Sequence, residues 1–285
     1  MLWIKERLRE LLPLHIAELL EKENIASAEE IRLRIGKRPS FVIDDKEKVF
    51  DENEVTRADI AHVVDRASRS SFHAVASQLE QGYLHAGHGI RIGICGVYSE
   101  KGMVSAGDIS SLALRLPHEM KGIGAEAIES LRPFDSSILI ISPPGGGKTS
   151  FLRELIRKTS EAGVRVCLCD ERGEVAAMWQ GVSSFDLGPM CDVLSGVEKR
   201  RGITMLLRSM NPRIIAVDEI SAEYDGQAMK EALSCGAAIY ATAHGKNLEE
   251  LMKRPHYKQM ISDGLFQKAV IISHGEKRTY EVVDL

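Results

Sequence analysis

Aromatic residues and long apolar runs are scarce in this sequence. Phe, Trp and Tyr make up 5% of the 285 residues. None is interleaved with the basic run Lys199-Arg200-Arg201, which argues against a site for single-stranded nucleic acid. No apolar run reaches the roughly 18 residues that a bilayer-spanning helix needs, so no transmembrane segment is predicted. The N-terminal segment mixes charges into an apolar stripe, unlike a secretory signal, and we expect a cytoplasmic chain.

An excess of charge of one sign is also absent. The chain has 37 Lys and Arg residues against 41 Asp and Glu residues, for a net charge of −4. This balance gives no general attraction to nucleic acid or to anionic lipid, so nucleic acid is not an expected partner. Hydrophobic residues (44%) and charged residues (27%) occur in the proportions of an ordinary globular protein. The length predicts two domains, each large enough to bury its own core.

Cysteine pairs with the spacing of a metal site are missing as well. The five cysteines are scattered through the chain at Cys95, Cys167, Cys169, Cys191 and Cys235. None forms a C-x₂-C pair or a Cys/His set, so no zinc site is predicted. Cys167 and Cys169 alternate within an apolar strand pattern and are expected to point to one face. We expect the cysteines to be buried, reduced thiols.

The most informative stretch is residues 138–151, which read ILIISPPGGGKTSF. Four apolar residues predict a buried strand, and a glycine-rich turn then leads into a helix that opens on Lys148-Thr149. This order is typical of a phosphate-binding loop. The glycines let backbone amides turn toward a phosphate, and the helix N-terminus adds the positive end of its dipole. Ser142 stands where the usual pattern G-x-x-x-x-G-K-[ST] has its first glycine.

The residues of this loop predict a nucleotide site. Its members are Pro144, Gly145, Gly146, Gly147, Lys148, Thr149 and Ser150. Lys148 is expected to reach the β- and γ-phosphates, and Thr149 to place its hydroxyl on Mg²⁺. The alternative is a glycine-rich turn that only links a strand to a helix, and it leaves the Lys-Thr pair unexplained.

Two acidic residues, Asp218 and Glu219, directly follow the apolar run Ile214–Val217. Asp218 is predicted to hold the water shell of Mg²⁺. Glu219, which is expected to point to the other side, is predicted to polarise the attacking water. A pair of helix N-cap residues is the alternative interpretation of these two acids.

Predicted strands and helices alternate after the loop, which indicates an α/β fold with a largely parallel sheet and helices on both faces. Ligands bind beyond the carboxyl ends of such strands, and polar residues follow four of them. These are the loop itself, Asp170-Glu171-Arg172, Asp218-Glu219 and Thr242-Ala243-His244. Arg172 is predicted to touch the nucleotide or to orient Glu219, and His244 to sense the γ-phosphate. The alternatives are a solvated turn for Arg172 and a structural role for His244.

The N-terminal part, residues 1–116, is predicted to be a smaller α+β domain. Its expected elements are a helix over 2–23 interrupted at Pro13, strands at 30–35 and 40–43, a helix over 57–69 capped by Thr56 with Asp59 in the capping-box position, a helix over 72–81, a hairpin over 83–98 and a strand over 109–117. Within it, Arg91 and Arg115 are strand residues for which salt bridges are one interpretation. Residues 117–136 are the predicted connector, and residues 137–285 form the nucleotide-binding domain. The run Lys199–Arg201 is interpreted as a solvated loop rather than a partner contact.

These motifs resemble those of the secretion-type ATPases of the RecA-like class, the motors of type II and type IV secretion and of pilus retraction. The matching residues are Leu207-Arg208-Ser-Met-Asn-Pro212, Glu219, the alanine-rich 228–233 and Thr242-Ala-His244. Asp218 stands where many members of that class have glycine. The resemblance implies a RecA-like P-loop NTPase domain with a mostly parallel sheet, preceded by the smaller α+β domain.

A closer resemblance is to the stage III sporulation protein AA family of endospore-forming bacteria. It spans residues 28–283 and rests on Glu30-Ile-Arg-Leu-Arg-Ile-Gly36, Gly82-Tyr83, Gly89-Ile-Arg-Ile-Gly93, the loop Pro-Pro-x-x-Gly-Lys-Thr, Asp170-Glu-Arg172, Val217-Asp-Glu-Ile220 and Ala241-Thr-Ala-His-Gly245. Ser142 and Ser221 replace expected glycines, and Gly173 replaces an expected serine.

This resemblance implies an ATP-hydrolysing, Mg²⁺-dependent motor that works as a homo-oligomeric ring, a hexamer. Arg91 and Arg115 are implied to complete the nucleotide site of a neighbouring subunit. The implied partners are membrane proteins of a sporulation channel, with the chain peripheral on the mother-cell side of the forespore membrane. Two alternatives remain open: a non-hydrolysing, nucleotide-sensing scaffold and a RecA-like nucleic-acid translocase.

Overall fold

The computed structural model describes residues 2–22, 28–43, 46–50, 53–69, 71, 75–99, 102–103, 108–220, 223–274 and 278–285. The chain divides into two compact units. The first comprises Met1–Glu119 with Ala177–Ser184, and the second comprises Met120–Ala176 with Phe185–Leu285. The segment Ala177–Ser184 thus belongs to the first unit, although the sequence pattern placed it in the nucleotide-binding domain at 137–285.

The first unit combines helices with an antiparallel sheet. Its described helices are α1 (Leu2–Leu11), α2 (Leu14–Lys22), α3 (Arg57–Ser68) and α4 (Ala76–Glu80). Its described strands are β1 (Glu30–Arg34), β2 (Ser40–Ile43), β3 (Lys46–Val49), β4 (Tyr83–His85), β5 (Arg91–Gly96), β6 (Tyr98–Ser99), β7 (Gly102–Met103) and β8 (Ile109–Arg115). Six of these form one sheet in the order β3-β2-β1-β8-β5-β4, and β6 pairs with β7.

Local signals account for most of these elements. The helix break at Pro13 is confirmed, and so is the capping box of α3, where the Asp59 amide donates to Thr56 Oγ1 at 3.2 Å and the Thr56 amide donates to Asp59 Oδ2 at 2.8 Å. Strand β3 was missed because its Lys-Glu-Lys-Val sequence is exposed throughout and carries no apolar alternation. Residues 72–74 of the helix predicted over 72–81 lie outside the described residues.

One face of the six-stranded sheet supplies the core of the first unit. Ile31, Leu114 and Ile92 are aligned across β1, β8 and β5 and are fully buried. The opposite face carries Arg91 and Arg115, which are directly opposed on β5 and β8. This alternation follows from the two-residue period of a strand.

The segment Ala177–Ser184 packs on this unit through Trp179. The guanidinium carbons of Arg7 and Arg69 lie 4.8 and 4.1 Å from the centroid of the Trp179 ring. A Cβ atom on Gly87 would lie 2.4 Å from that ring, so only glycine fits there. Trp179 therefore fixes this segment by stacking with cations and by close packing.

The second unit is a seven-stranded sheet with helices. Its described helices are α5 (Ala125–Ser130), α6 (Lys148–Glu161), α7 (Lys199–Ser209), α8 (Glu223–Ser234), α9 (Leu248–Met252) and α10 (Pro255–Ser262). Its described strands are β9 (Ile138–Ser142), β10 (Val166–Asp170), β11 (Cys191–Ser195), β12 (Ile214–Val217), β13 (Ala238–His244), β14 (Lys268–His274) and β15 (Arg278–Asp284). The strand order is β11-β10-β12-β13-β9-β14-β15. All neighbours are parallel except β14 and β15, which are antiparallel.

The central strands of this sheet are buried on both faces. Every residue of β9, β10 and β12 is buried, which explains why these strands appear in the sequence as continuous apolar runs. Among the described residues, no helix has both the length and the apolar character needed to cross a membrane.

Two interpretations of the sequence need correction. The run Lys199–Arg201 is the first turn of α7 and not a loop, and Lys199 is buried with its ammonium 2.7 Å from Glu171 Oε2. The Glu198 carboxylate accepts hydrogen bonds from the amides of Arg200 and Arg201 and so caps this helix, a signal that the sequence contained.

The second correction concerns the cysteines. Cys167 and Cys169 are buried, as predicted, and burial raises the pKa of each thiol to about 11. Cys95 and Cys235 are exposed, so the expectation that the cysteines are buried is wrong for these two. Cys95 lies on the open face of β5, and Cys235 follows the last turn of α8.

Candidate functional site

The phosphate-loop pattern lies between β9 and α6. Gly147 is the N-cap of α6 with φ of 94°, and Gly145 has φ of 73°, so both occupy backbone conformations that glycine tolerates best. Pro144 and Gly145 are exposed, whereas Lys148, Thr149 and Ser150 are half-buried. The loop therefore places the N-terminus of α6 and the half-buried Lys148 at the carboxyl edge of the sheet.

Ser142, the departure from the usual loop pattern, has a structural explanation. Its buried hydroxyl donates to the Pro143 carbonyl at 2.9 Å and lies under Gly146. A Cβ atom on Gly146 would lie 2.0 Å from Ser142 Oγ. The serine thus fills space beneath the loop, and Gly146 is required because no side chain fits above it.

We expect Gly146→Ala to lower the free energy of unfolding by about 1–3 kcal/mol, the usual cost of overpacking a buried site. The measurement is chemical denaturation of the wild type, Gly146→Ala, Ser142→Gly and the double variant. Ser142→Gly removes the obstructing hydroxyl. Gly146→Ala should therefore lower the free energy of unfolding by less in the Ser142→Gly background than in the wild type. Equal costs in the two backgrounds would show that Ser142 does not set the requirement for glycine.

A chain of hydrogen bonds connects the loop to the ends of β12 and β13. Thr149 Oγ1 donates to Asp218 Oδ2 at 3.0 Å, and Thr242 Oγ1 donates to Asp218 Oδ1 at 2.5 Å. The Glu219 amide in turn donates to Thr242 Oγ1 at 2.7 Å. The fully buried Thr242 therefore fixes both acidic residues, a role that the sequence pattern did not assign to it.

Glu219 is held in an unusual conformation with its carboxylate between two partners. Its φ is 52°, in the left-handed region, where a residue other than glycine is strained. Arg172 Nη1 donates to Glu219 Oε2 at 2.8 Å, and His244 Nε2 lies 3.4 Å from Glu219 Oε1. Strain of this kind, maintained by surrounding contacts, is typical of functional positions. The structure thus brings together Arg172, Glu219 and His244.

The loop that carries Arg172 is shaped by Asp170. Its buried carboxylate accepts hydrogen bonds from the amides of Glu174 (3.0 Å), Val175 (3.3 Å) and Ala176 (2.9 Å). Burial is the main reason that the pKa of Asp170 is raised, and these amide donors oppose that effect. Asp170 therefore stabilises the loop that follows β10 by accepting hydrogen bonds from its amides.

Thr149 and Asp218 fit the ligand preference of Mg²⁺. A hydroxyl and a carboxylate are hard oxygen donors, and they already lie within hydrogen-bonding distance of each other. No group of three or more His, Cys, Asp or Glu side chains in the described parts of the chain could hold a metal ion. This arrangement suits Mg²⁺, which is commonly held by one or two protein oxygens together with phosphate oxygens.

Arg91 and Arg115 lie in the first unit. The Arg91 guanidinium lies 4.2 Å from the centroid of the Tyr83 ring, and Arg115 Nε lies 3.6 Å from Glu30 Oε2. The Arg115 side chain is 71% exposed, so this ion pair contributes little to stability.

Arg278, the first residue of β15, was missed by sequence reasoning. Its guanidinium atoms lie 3.5–3.6 Å from the position that a Cβ atom on Gly147 would occupy. No local motif marks Arg278, since only the strand order brings the start of β15 to the phosphate loop. Of the two other departures from the expected motif residues, Gly173, which replaces a serine, has φ of 70°, and Ser221, which replaces a glycine, lies outside the described residues.

The family described as sporulation stage III, protein AA, matches residues 4–283. The chain belongs to this family. Stage III sporulation protein AA of Bacillus subtilis (strain 168) is 32% identical over 283 residues, which cover 96% of this chain and 91% of that protein. The resemblance inferred from the motifs is confirmed.

Two solved structures share the fold. The ATPase DotB of Legionella pneumophila aligns with a TM-score of 0.63 at 17% identity, covering 95% of this chain and 80% of its own. The pilus retraction motor PilT with bound ADP aligns with a TM-score of 0.62 at 15% identity, and the alignment covers 94% of this chain and 82% of the PilT chain. The predicted α/β fold with a likeness to such ATPases is thus confirmed.

Proposed function

We propose that this chain is a Mg²⁺-dependent ATPase that acts as the motor of a secretion-like channel needed for endospore formation. The observation that carries the proposal is the hydrogen-bond chain from Thr149 through Asp218 and Thr242 to the Glu219 amide. It joins a phosphate loop, an oxygen pair suited to Mg²⁺ and a constrained carboxylate at one sheet edge. The fold shared with an ATPase and with an ADP-bound motor supports this choice of reaction.

The roles of the residues follow from their positions. Residues 144–150 bind the phosphates, with Lys148 on the β- and γ-phosphates. Thr149 and Asp218 would hold Mg²⁺, which would supply positive charge to neutralise the phosphate oxygens. Glu219 accepts a hydrogen bond from the attacking water and orients it toward the γ-phosphate. Arg172 and His244 fix the carboxylate of Glu219 from two sides.

The test is steady-state phosphate release from ATP with Mg²⁺ and with a chelator. We expect release that requires Mg²⁺ and is not stimulated by DNA or RNA. Nucleotide binding without any release would support a nucleotide-sensing scaffold, and stimulation by nucleic acid that falls steeply with salt would support a translocase.

The proposal includes a domain division. The catalytic domain, residues 137–285, is a RecA-like P-loop NTPase domain, preceded by an α+β domain at 1–116 and a connector at 117–136. Segment 177–184 is the exception, since it packs with the first unit. The mostly parallel order of the seven-stranded sheet supports the RecA-like assignment.

The working form in this proposal is a homo-oligomeric ring, a hexamer, in which Arg91 and Arg115 act on the nucleotide of a neighbouring subunit. Their adjacent positions on β5 and β8 and the exposure of Arg115 support this role. An arginine supplied in trans stabilises the charge that develops during phosphoryl transfer. The ring would sit on the mother-cell side of the forespore membrane, bound to membrane proteins of the channel.

Because a site completed by a neighbour needs assembly, we expect phosphate release per subunit to rise with protein concentration. The measurement is turnover over a range of dilutions, with the solution mass determined by light scattering on the same samples. Arg115→Ala should reduce turnover of the assembled protein, whereas Arg34→Ala, which removes an ion pair with Glu47 on the same sheet, should not. A monomer with full activity at every dilution would contradict the ring.

A further inference from the structure

We infer that Arg278 binds the α- and β-phosphates of the nucleotide within its own subunit, on the nucleoside side of the phosphate loop. This inference rests on the proposed function, because it names a further contact of the same nucleotide. It concerns residues of the second unit only, and it assigns to β15 a direct part in binding.

The strand order gives the direction in which the nucleotide extends. Asp218 and Glu219 follow β12, and His244 is the last residue of β13; both strands lie on one side of β9. These residues mark the end of the site where the γ-phosphate is cut. The α-phosphate and the nucleoside therefore extend past the loop to the other side of β9, where β14 and β15 lie. With strands about 4.8 Å apart, β15 is roughly 10 Å from β9, within the length of a bound nucleotide.

Antiparallel pairing brings Arg278 to the same edge of the sheet as the loop. Strand β14 runs parallel to β9, with Ile271 opposite Ile141, and β15 returns antiparallel with Arg278 opposite His274. Arg278 is thus level with residues that follow the end of β9. An arginine elsewhere on β15 would lie along the body of the sheet.

The guanidinium of Arg278 lies beside Gly147 of the loop, and most of its donors have no acceptor among the described residues. Its Cζ and Nη1 atoms lie 3.5 Å, and its Nε atom 3.6 Å, from the position of a Cβ on Gly147. Its one recorded hydrogen bond in the described part of the chain goes from Nη1 to Met120 Sδ at 3.5 Å, and a thioether is a weak acceptor. No described carboxylate forms an ion pair with it. A guanidinium with free donors beside a phosphate loop matches the geometry of a diphosphate.

An aromatic stack fixes β15 relative to α6. Tyr280 lies on the same face of β15 as Arg278 and stacks on Phe151, with ring centroids 5.4 Å apart and an interplanar angle of 20°. Phe151 is fully buried in the first turn of α6. A Cβ on Gly124 would lie 2.5 Å from Phe151 and 3.2 Å from Tyr280, so this glycine lets the stack form. The helix that begins at the loop and the strand that carries Arg278 therefore form one packed element.

The test is the affinity of ATP and ADP for the wild type, Arg278→Met and Arg278→Lys, measured by equilibrium titration. Because the α- and β-phosphates are common to both nucleotides, Arg278→Met should weaken both by the same factor, about 10- to 100-fold. Arg278→Lys keeps the positive charge but lacks the paired donors of a guanidinium. Its affinities for ATP and ADP should therefore lie between those of the wild type and those of Arg278→Met. Arg200→Met removes an exposed arginine of α7 and should bind as the wild type does.

Thermal unfolding without nucleotide shows whether the variants are folded, and their melting temperatures should match the wild type. If Arg278→Met binds ADP as tightly as the wild type, or loses affinity for ATP alone, the assignment is overturned. The proposed function is judged separately by the wild type. If the wild type binds neither nucleotide, the ATPase proposal fails and this inference falls with it.

Discussion

Lys148→Ala is expected to abolish nucleotide binding, with affinities for ATP and ADP reduced more than about 100-fold. The side chain is half-buried at the first residue of α6, beside glycines that leave room for phosphate oxygens. No ion pair of Lys148 with another described residue is present, so its ammonium is free to meet a phosphate. Removing it takes away the charge that faces the β- and γ-phosphates, while the loop backbone keeps its shape.

Titration with a fluorescent ATP analogue measures this loss. The matched control is Lys158→Ala on the same helix, where the ammonium lies 3.0 Å from Glu161 at the surface. This control should bind nucleotide normally, because its ion pair is far along α6 from the loop. Nucleotide binding by Lys148→Ala at the wild-type affinity would remove the loop from the site.

Glu219→Gln is expected to bind ATP normally and to lose turnover, by about 10²- to 10⁴-fold, the usual share of general acid–base catalysis. The amide has the shape of the carboxylate, and its oxygen can still accept the hydrogen bond from Arg172. An amide is a poor acceptor for the proton of the attacking water, so the chemical step slows while the nucleotide contacts remain.

Single-turnover phosphate release together with the ATP titration separates these two effects. The matched control is Glu171→Gln, which alters a nearby carboxylate that pairs with Lys199 and does not touch Glu219 in the described structure. It should keep most of the turnover. Equal hydrolysis by the wild type and by Glu219→Gln would remove Glu219 from the proposed mechanism.

The sequence predicted those parts of the site that depend on neighbouring residues. The loop between β9 and α6 and the acidic pair after β12 each follow from a strand, a turn and a few defined residue types. The capping box of Thr56 and Asp59 was predictable for the same reason, since its two hydrogen bonds join residues three apart. Such short-range patterns can be recognised in a sequence because the residues that interact are only a few positions apart.

Contacts between distant residues could not be predicted in this way. Thr242 joins Asp218 to Glu219 only because β13 lies next to β12, and Arg278 reaches the loop only because β15 comes last in the strand order. Segment 177–184 packs with the first unit through Trp179, which no local pattern indicates. The strained Glu219 likewise contacts Thr242, Arg172 and His244, which are distant from it in the sequence. Sheet order is a global property, and a single sequence does not contain a local signal for it.

The most direct test of the central claim is calorimetric titration of the assembled wild-type protein with Mg²⁺-nucleotide up to millimolar concentration. The claim is that a nucleoside triphosphate binds at Lys148 and is cut by water oriented by Glu219. We expect saturable heat for MgATP and for MgADP, and no saturable heat for Lys148→Ala under the same conditions. Well-folded, assembled wild-type protein that shows neither heat nor saturation would contradict the account.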